Sequence, residues 1–457
     1  MSVQGVVPVV PAQGRGFRAY SAKHLDQLTA RAGLSDAERL AVRAVATVLP
    51  FRTNDYVLES LIDWSAAPDD PIYRLVFPQA DMLPAEDVAP IAALLARDAP
   101  EREIQAAAHS VRMRLNPHPA GQLVLNVPSL SDEPVPGVQH KYAETVLIFP
   151  KQGQTCHAYC TYCFRWAQFV GEPDLKMATD DMSRVTSYLR AHPEVTSVLV
   201  TGGDPMIMGS AVLRRYVEPL LDPSLEHIES IRIGTKALAY WPQRFLTDPD
   251  ADDAIRLFEE VSAAGKTLAL MAHFSHVREL ESGQVARAIS RIRSAGGIIR
   301  SQAPLIRTIN DDPACWSQMW RTQLRLGLVP YYMFVERDTG PQGYFAVPLA
   351  RAVDIFRDAY ASVSGLCRTV RGPSMSTTPG KICVDGVAEI AGQRVFVLHM
   401  IQARDPALVG HPFFAHFNPD AVWLSDLRPA FADTFPFESE QAAPSPDWDA
   451  ELLARAG

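Results

Sequence analysis

The segment TVLIFPKQGQTCHAYCTYCFRW (residues 145–166) joins a short apolar run to a loop with three closely spaced cysteines. Cys156, Cys160 and Cys163 stand four and three positions apart. The apolar run predicts a buried strand, and α/β folds place their chemistry in the loops that follow such strands. Three thiolates on one loop indicate a [4Fe–4S] cluster with one open iron, or a zinc ion with His157 as the fourth ligand. The alternative is that the three cysteines are unrelated core residues that bind nothing.

Apolar runs and amphipathic segments alternate along the chain from about residue 144 to 361. Short apolar runs predict strands, and segments with apolar residues three or four apart predict helices. Strands that alternate with helices form a parallel sheet, so we predict an α/β fold whose sheet is open or curled into a partial barrel. The six predicted strands are residues 145–149, 196–201, 228–234, 267–274, 297–305 and 329–336.

The sequence pattern divides the chain into three regions. Residues 1–125 are predicted to form a helical N-terminal region, and residues 126–365 contain the strand–helix alternation. Residues 366–457 are predicted to form a small C-terminal extension, with a candidate cofactor-lysine loop and a hairpin that turns at AGQ (391–393). The acidic tail from residue 437 is expected to be loosely held.

Composition excludes several classes of function. The 457-residue chain has a formal net charge of −9, so we predict no surface for nucleic acid. No apolar run reaches the roughly 18 residues of a membrane span, and the first residues lack the layout of a signal peptide. We therefore expect a cytoplasmic protein without a membrane partner. In a reducing compartment, closely spaced cysteines bind metal more often than they form disulfides.

Seven further motifs accompany CTYCFRW in a fixed order between about residues 133 and 382. TGGDP (201–205) ends the second predicted strand, where two glycines allow close backbone approach. The other six are PVPGVQHKYAETVL, IRIGTKALAYWPQRF, AHFSH, SQAPLIRTIND, PYYMFVERDTG and TPGKI. The ordered set resembles the lysine 2,3-aminomutase family of the radical S-adenosylmethionine superfamily.

The resemblance implies a partial parallel (β/α)6 barrel of the radical S-adenosylmethionine type. It implies that the three loop cysteines hold a [4Fe–4S] cluster whose open iron binds S-adenosylmethionine. Reductive cleavage would give a 5′-deoxyadenosyl radical, with the electron supplied by a donor such as flavodoxin or ferredoxin. Among the matched residues, Arg165 would pair with the S-adenosylmethionine carboxylate. The residues that the resemblance assigns to cofactor binding are Arg165, Gly202, Gly203, Asp204, Thr235, Gln243, His273 and Gln302.

The same resemblance makes Lys381 the lysine that holds pyridoxal 5′-phosphate, whose π-system would stabilise a migrating radical. Family members have a run of glycines before that lysine, but here only Gly380 is adjacent. Ser376, Thr377 and Thr378 could donate hydrogen bonds to the phosphate instead. Whether this chain binds pyridoxal phosphate is therefore left open. If it does not, Lys381 would be an exposed loop lysine.

Another departure lies before the cysteine loop, where this chain has YAETVL (142–147) and the family has an arginine in YPDRVL. Two enzymatic functions stay open: an aminomutase with pyridoxal phosphate, and a pyridoxal-independent radical enzyme for epimerisation, elimination or another rearrangement. A non-catalytic iron–sulfur or zinc protein is a third alternative. It is disfavoured because a cluster carrier needs neither the TGGDP turn nor Arg165.

The substrate is expected to be a small amino-acid-like molecule. The resemblance places Arg337 and Ser374 where the lysine enzymes have carboxylates for the far ammonium group of lysine, with Asp338 one position away. Lys381, Arg337 and Asp338 are therefore the candidate catalytic residues. Arginine suits pairing with a carboxylate or phosphate, so we predict a substrate with a neutral or anionic far end, and not free lysine.

The remaining cysteines and the N-terminal region carry no assigned motif. Cys315, Cys367 and Cys383 lack ligand-type spacing and are interpreted as buried free cysteines. Cys367 and Cys383 flank TPGK, which leaves a second cluster or a redox pair as the alternative. The N-terminal region is expected to cover the barrel mouth or to form a contact between copies, which leaves a homo-oligomer open.

Overall fold

The computed structural model describes residues 16–438. The first part of this range is mainly helical, and the polar side chain of Ser35 caps its second helix by accepting a hydrogen bond from the Glu38 amide (3.3 Å). Its helices and strands are β1 (Ala19–Ser21), α1 (Leu25–Arg31), α2 (Asp36–Val48), β2 (Arg52–Asn54), α3 (Pro71–Val76), α4 (Ala85–Ala96) and α5 (Glu101–Arg114). A two-stranded hairpin, β3 (Ser129–Leu130) and β4 (Glu133–Pro134), then leads into the main sheet.

An eleven-stranded sheet runs through the rest of the described chain. Seven consecutive strands are parallel, and antiparallel strands flank them at both edges. In spatial order, the parallel strands are β6 (Thr145–Ile148), β7 (Ser197–Val200), β8 (Ser230–Thr235), β9 (Thr267–His273), β10 (Ile298–Leu305), β11 (Val329–Val335) and β12 (Arg371–Ser376). The antiparallel strands are β5 (Val138–Tyr142) next to β6, and β13 (Gly380–Ile390), β14 (Gln393–Ala403) and β15 (Pro412–His416) after β12.

Helices connect the parallel strands, as the sequence predicts. In one of them, residues 283–294, Val285, Ala288, Ile289 and Ile292 are buried at the three- and four-residue spacing of an amphipathic helix. The connecting helices are α6 (Met182–Ala191), α7 (Ser210–Val217), α8 (Ala237–Tyr240), α9 (Ala251–Ala263), α10 (Gly283–Ser294), α11 (Pro313–Leu326), α12 (Gln342–Phe345) and α13 (Leu349–Ala361). The prediction of an α/β fold with a mostly parallel sheet is confirmed.

The sequence pattern predicted six parallel strands, one fewer than the described residues contain. All six predicted strands are present, but β12 is a seventh and pairs in parallel with β11. Its sequence, RGPSMS, contains a glycine, a proline and two serines, which are poor strand formers in isolation. Strand neighbours on both sides hold it in place, and that tertiary support cannot be seen from local propensity.

The hairpin predicted at AGQ is confirmed, but the loop predicted to carry Lys381 is wrong. Strands β13 and β14 pair from Gly380 to Ile390 and turn at Ala391 and Gly392, which both have positive φ. Lys381 lies inside β13, between Ser376 of β12 and Gln402 of β14. A short turn connects β12 to β13. The Thr377 hydroxyl and amide both donate to the Gly380 carbonyl oxygen (2.8 Å each) and hold this turn closed.

Hydrogen bonds join the β5–β6 end of the strand order to residues of the β12–β14 end. The Gln402 amide of β14 donates to Glu144, just before β6 (2.7 Å), and the Lys141 ammonium of β5 donates to the carbonyl of Thr377. Such contacts require the sheet to curl. Within residues 16–438, no helix is long and apolar enough to cross a membrane. The predicted loosely held tail lies outside the described residues, apart from residues 437 and 438.

Candidate active site

The three-cysteine loop follows β6 directly, as the sequence predicts, and the N-terminal region holds it in place. The Tyr159 amide donates to the Arg52 carbonyl and the Thr161 amide to the Leu75 carbonyl (2.9 Å each). The side-chain amide of Asn54 donates to the His157 carbonyl (3.1 Å). The N-terminal region therefore contacts this loop, and its covering of a barrel mouth stays a prediction.

The thiols of Cys156, Cys160 and Cys163 are free and partly buried. Burial raises the pKa of Cys163 to about 12 and the pKa of Cys156 well above its usual value, and the neighbouring thiols add to both shifts. Without a bound cation, the loop therefore holds protonated thiols. Among the described residues, these three cysteines do not bring all their Sγ atoms within 4.8 Å of one another.

His157, the alternative fourth zinc ligand, is buried beside an aromatic ring of the N-terminal region. Its imidazole lies edge-on to Phe17, with 5.4 Å between ring centroids. Burial lowers the pKa of His157 to about 3. The ring therefore packs as a neutral core group, and within residues 16–438 it does not form a close ligand group with the thiols.

Arg165 is buried directly after the three cysteines. Its guanidinium lies over the rings of Phe149 (4.3 Å) and Phe164 (5.0 Å). Burial lowers the pKa of Arg165 to about 10, while Cys163 and Cys156 act in the opposite direction. A cation held this close to the thiols favours a negatively charged group at the loop.

The two glycines of TGGDP allow the turn to pack against the cysteine loop itself. A Cβ atom on Gly203 would lie 2.3 Å from the carbonyl oxygen of Thr155, and Gly202 has φ of 153°. The Asp204 amide donates to that same carbonyl (2.7 Å). The close approach predicted from the sequence is therefore an approach to the protein backbone beside Cys156.

Asp204 joins the ends of β7 and β8. Its carboxylate accepts hydrogen bonds from the Thr235 hydroxyl (2.8 Å), the Lys236 amide (2.8 Å) and the Met206 amide (2.9 Å). Burial raises the pKa of Asp204 to about 6, although the hydrogen bonds act against that shift. Asp204 and Thr235 therefore fix the TGGDP turn beside the cysteine loop.

We expect Asp204→Asn to lower the free energy of unfolding by about 1–3 kcal/mol, because the asparagine amide would face buried donors and leave one unpaired. Urea unfolding of the iron-free full chain measures the change. Asp180→Asn is the control, since Asp180 pairs with Lys151 at the surface, and we expect it to change stability by less than about 0.5 kcal/mol. Equal stability of the two variants would contradict the assigned role of Asp204.

Lys236 and Tyr240 lie at the cysteine loop and were missed by the sequence analysis. The Tyr240 hydroxyl is 3.4 Å from the Cys160 Sγ atom. Lys236 lies over the Tyr240 ring (4.6 Å) and pairs with the buried Glu279 (2.7 Å), and its charge acts to lower the pKa of Cys160 against burial. Both residues belong to the motif IRIGTKALAYWPQRF, and this motif was the sequence signal that could have identified them.

Lys381 lies in a partly buried, cationic part of the sheet. Its ammonium donates to Gln402 (3.0 Å) and lies over the ring of Tyr332 (4.3 Å). Burial lowers the pKa of Lys381 to about 7, and the charges of Arg232 and Arg371 lower it further. The alternative of an exposed loop lysine is therefore wrong.

Lys141 and Arg337 are two further, partly buried cations. Burial lowers the pKa of Lys141 well below its usual value, and Arg337, Arg404 and Lys381 act on it in the same direction. Arg337 also lies over the ring of Phe164 in the cysteine loop (5.1 Å). Within the described part of the chain, the Arg337 Nε and Nη2 atoms are buried and have no hydrogen-bond partner.

Known proteins resemble this chain over much of its length. No family model matches the chain. A protein of Aquifex aeolicus (strain VF5) named "Putative L-lysine 2,3-aminomutase" is 30% identical over 401 residues, which cover 88% of this chain and 93% of that protein. This chain belongs to the lysine 2,3-aminomutase family.

More distant relatives of the family match about half of the chain. The L-lysine 2,3-aminomutase of Clostridium subterminale is 26% identical over 238 residues, 52% of this chain and 53% of that enzyme. The L-lysine 2,3-aminomutase of Escherichia coli (strain K12) is 26% identical over 252 residues, 53% of this chain and 68% of that enzyme. A radical SAM methyltransferase structure from Sphaerobacter thermophilus aligns with a TM-score of 0.37 at 15% identity, over 64% of this chain and 93% of that chain.

In this member of the lysine 2,3-aminomutase family, several predicted site residues lie around the cysteine loop. His273 is 3.4 Å from the Tyr162 hydroxyl in that loop, and Gln302 is its partner on β10. The Gln243 amide donates to Gln284 of α10 (2.6 Å), and its Oε1 atom is buried without a hydrogen-bond partner among the described residues. Asp338 accepts a hydrogen bond from Asn116 (3.4 Å), beside Arg337.

Proposed function

We propose that this chain is a radical S-adenosylmethionine aminomutase that uses pyridoxal phosphate and acts on an amino acid with a neutral or anionic far end. One observation carries the proposal. Lys381, a partly buried lysine with a lowered pKa, donates to Gln402, which donates to Glu144 directly before β6, the strand that leads into the three-cysteine loop. The proposal also takes the curled sheet to be the partial barrel expected of this superfamily.

The cysteine loop fits an iron–sulfur cluster better than a single ion. A lone zinc ion needs its sulfur ligands close together, whereas the cysteines of a cubane bind different irons and stand further apart. The buried cation of Arg165 beside the thiols supports a negatively charged cluster. Such a cluster supplies the electron that cleaves S-adenosylmethionine.

Lys381 fits a role in holding pyridoxal phosphate. A lysine must be neutral to form an imine, and a pKa of about 7 keeps much of it neutral at physiological pH. Arg232 and Arg371 lie close enough to influence Lys381, and either could bind a phosphate where the family arginine of YPDRVL is absent. Thr377 is a poor phosphate ligand, because its hydroxyl already donates to the Gly380 carbonyl. The cofactor supplies the π-system that stabilises a radical on the substrate.

Other residues orient the reactants and exclude water. Asp204 and Thr235 hold the TGGDP turn against the cysteine loop. Arg165, stacked between two aromatic rings, can pair with the carboxylate of S-adenosylmethionine. Tyr159 stacks on Phe169 (4.5 Å) and shields the loop from solvent.

The substrate proposal depends on Arg337. Burial lowers its pKa, and two of its buried nitrogen atoms have no partner among residues 16–438. Buried guanidinium nitrogen atoms without a hydrogen-bond partner are costly, and a carboxylate or phosphate of the substrate would satisfy both in a bidentate pair. A substrate ammonium at this place would instead be repelled.

We expect Arg337→Met to raise the KM for an anionic substrate about 30-fold or more, because one partner of a buried charge pair is lost. Formation of 5′-deoxyadenosine without substrate should not change. Arg357→Met is the control, because Arg357 lies at the surface with Asp354 and Asp358. An unchanged KM in Arg337→Met would remove Arg337 from the substrate site.

The proposed function is tested with the reduced, cluster-loaded enzyme, S-adenosylmethionine and a panel that includes glutamate and lysine. We expect substrate-dependent 5′-deoxyadenosine and a β-amino acid, with lysine a poor substrate. Robust conversion of lysine to β-lysine would refute the proposed charge of the far end. Cleavage that occurs with no pyridoxal phosphate bound, and with an epimer or elimination product, would favour the pyridoxal-independent alternative.

A further inference from the structure

We infer that Cys383, Asp385 and His399 form a metal site for a single zinc-like ion on the face of the β13–β14 hairpin. Their ligand atoms, one thiol, one carboxylate oxygen and one imidazole nitrogen, all lie within 4.8 Å of one another. The site is separate from the three-cysteine loop and does not depend on the proposed function.

Strand register brings the three residues together. Cys383 and His399 are direct partners in the antiparallel ladder, so their side chains lie on the same face. Asp385 stands two positions after Cys383 and so follows it on that face, at a place where the ladder slips between Val384 and Gly386. The His399 Nδ1 atom is 2.7 Å from the Asp385 Oδ2 atom.

The ligand types favour zinc over magnesium or calcium. Thiolate and imidazole are ligands for zinc and other late transition metals, whereas magnesium and calcium take oxygen ligands almost alone. The side chains of His399 and Asp385 keep 31% and 41% of their surface exposed, so a fourth position is open to water. Cys383, at 6% exposure, supplies the enclosed side of the site.

The site lies on the same strand as Lys381. Residues two apart on a strand share a face and are separated by about 7 Å, so Cys383 follows Lys381 on that face. A bound ion would fasten β13 to β14 one step beyond the Lys381–Gln402 contact. We therefore expect the metal to stabilise the hairpin that positions Lys381.

Metal analysis of the cluster-loaded full chain tests the inference, because iron then occupies the other cysteine loop. After chelation and addition of Zn²⁺, we expect one zinc per chain, and Co²⁺ in its place should give a thiolate charge-transfer absorption. Cys383→Ser and His399→Gln should each weaken zinc binding about tenfold or more and abolish the cobalt signal. Cys367→Ser is the matched control, since Cys367 is buried near Trp320 and should leave both readouts unchanged.

Thermal unfolding with and without Zn²⁺ provides a second readout that separates binding from misfolding. Wild type and Cys367→Ser should gain stability with zinc, and Asp385→Asn should gain less, because an ion that binds only the folded state stabilises it. The inference is wrong if the cluster-loaded wild type binds no zinc. It is also wrong if Cys383→Ser and His399→Gln keep the zinc affinity of the wild type. Neither readout requires turnover, so a failure here would leave the proposed function untouched.

Discussion

Cys163→Ala should abolish both iron–sulfur binding and cleavage of S-adenosylmethionine. Two cysteines cannot hold a cubane that needs three protein ligands, so iron should fall from about four per chain to background. Burial holds the pKa of the remaining thiols high, so they have little tendency to recruit iron alone. Anaerobic reconstitution, iron and sulfide analysis, and chromatography of 5′-deoxyadenosine measure the two losses.

Cys315→Ala is the control for this experiment. Cys315 is a partly buried cysteine at the start of α11, and Asp312 caps that helix through the Cys315 amide (3.3 Å). The alanine variant keeps the amide and should keep both iron and cleavage. The cluster hypothesis would not survive a Cys163→Ala protein that binds four irons, or a wild type that takes up one zinc at the loop and no iron.

The cysteine loop and the alternating strands could be predicted because their signals are local. A strand followed by C-x3-C-x2-C occupies one continuous segment, and each apolar run of the sheet carries its own pattern. The structure has a strand at every predicted position. The glycines of TGGDP were also predictable as a close approach, although the sequence could not say that Thr155 is what they approach.

Features that depend on strand pairing could not be predicted. The motif TPGKI looks like a loop because proline and glycine precede Lys381, yet hydrogen bonds to β12 and β14 make it a strand. Cys383 and His399 lie 16 positions apart and become neighbours only through the hairpin register. Gln243 matched a motif, but its contact with Gln284 comes from a helix 41 residues away.

Lys381→Ala should eliminate the pyridoxal phosphate adduct that borohydride traps on the wild-type chain. An ordinary lysine is roughly 0.1% neutral at pH 7.5, whereas an amine with a pKa near 7 is roughly three-quarters neutral. Burial and the charges of Arg232 and Arg371 give Lys381 this property, so it should react in preference to surface lysines. Mass spectrometry of peptides locates the adduct. Lys151→Ala, which removes an exposed lysine paired with Asp180, should keep it.

The pH dependence of this reaction distinguishes a lysine held neutral by its surroundings from one that is merely accessible. Because the folded-state pKa of Lys381 is about 7, trapping should rise between about pH 6 and 8 and then level off, instead of rising toward pH 10. The same shift affects stability. The unfolded chain binds a proton at Lys381 that the folded chain does not bind between about pH 7 and 10.5, so the free energy of unfolding should rise with pH over that interval. Lys381→Met should remove this contribution. A trapping curve centred near pH 10, or a slope that persists in Lys381→Met, would show that Lys381 is an ordinary lysine and would leave pyridoxal phosphate without its anchor.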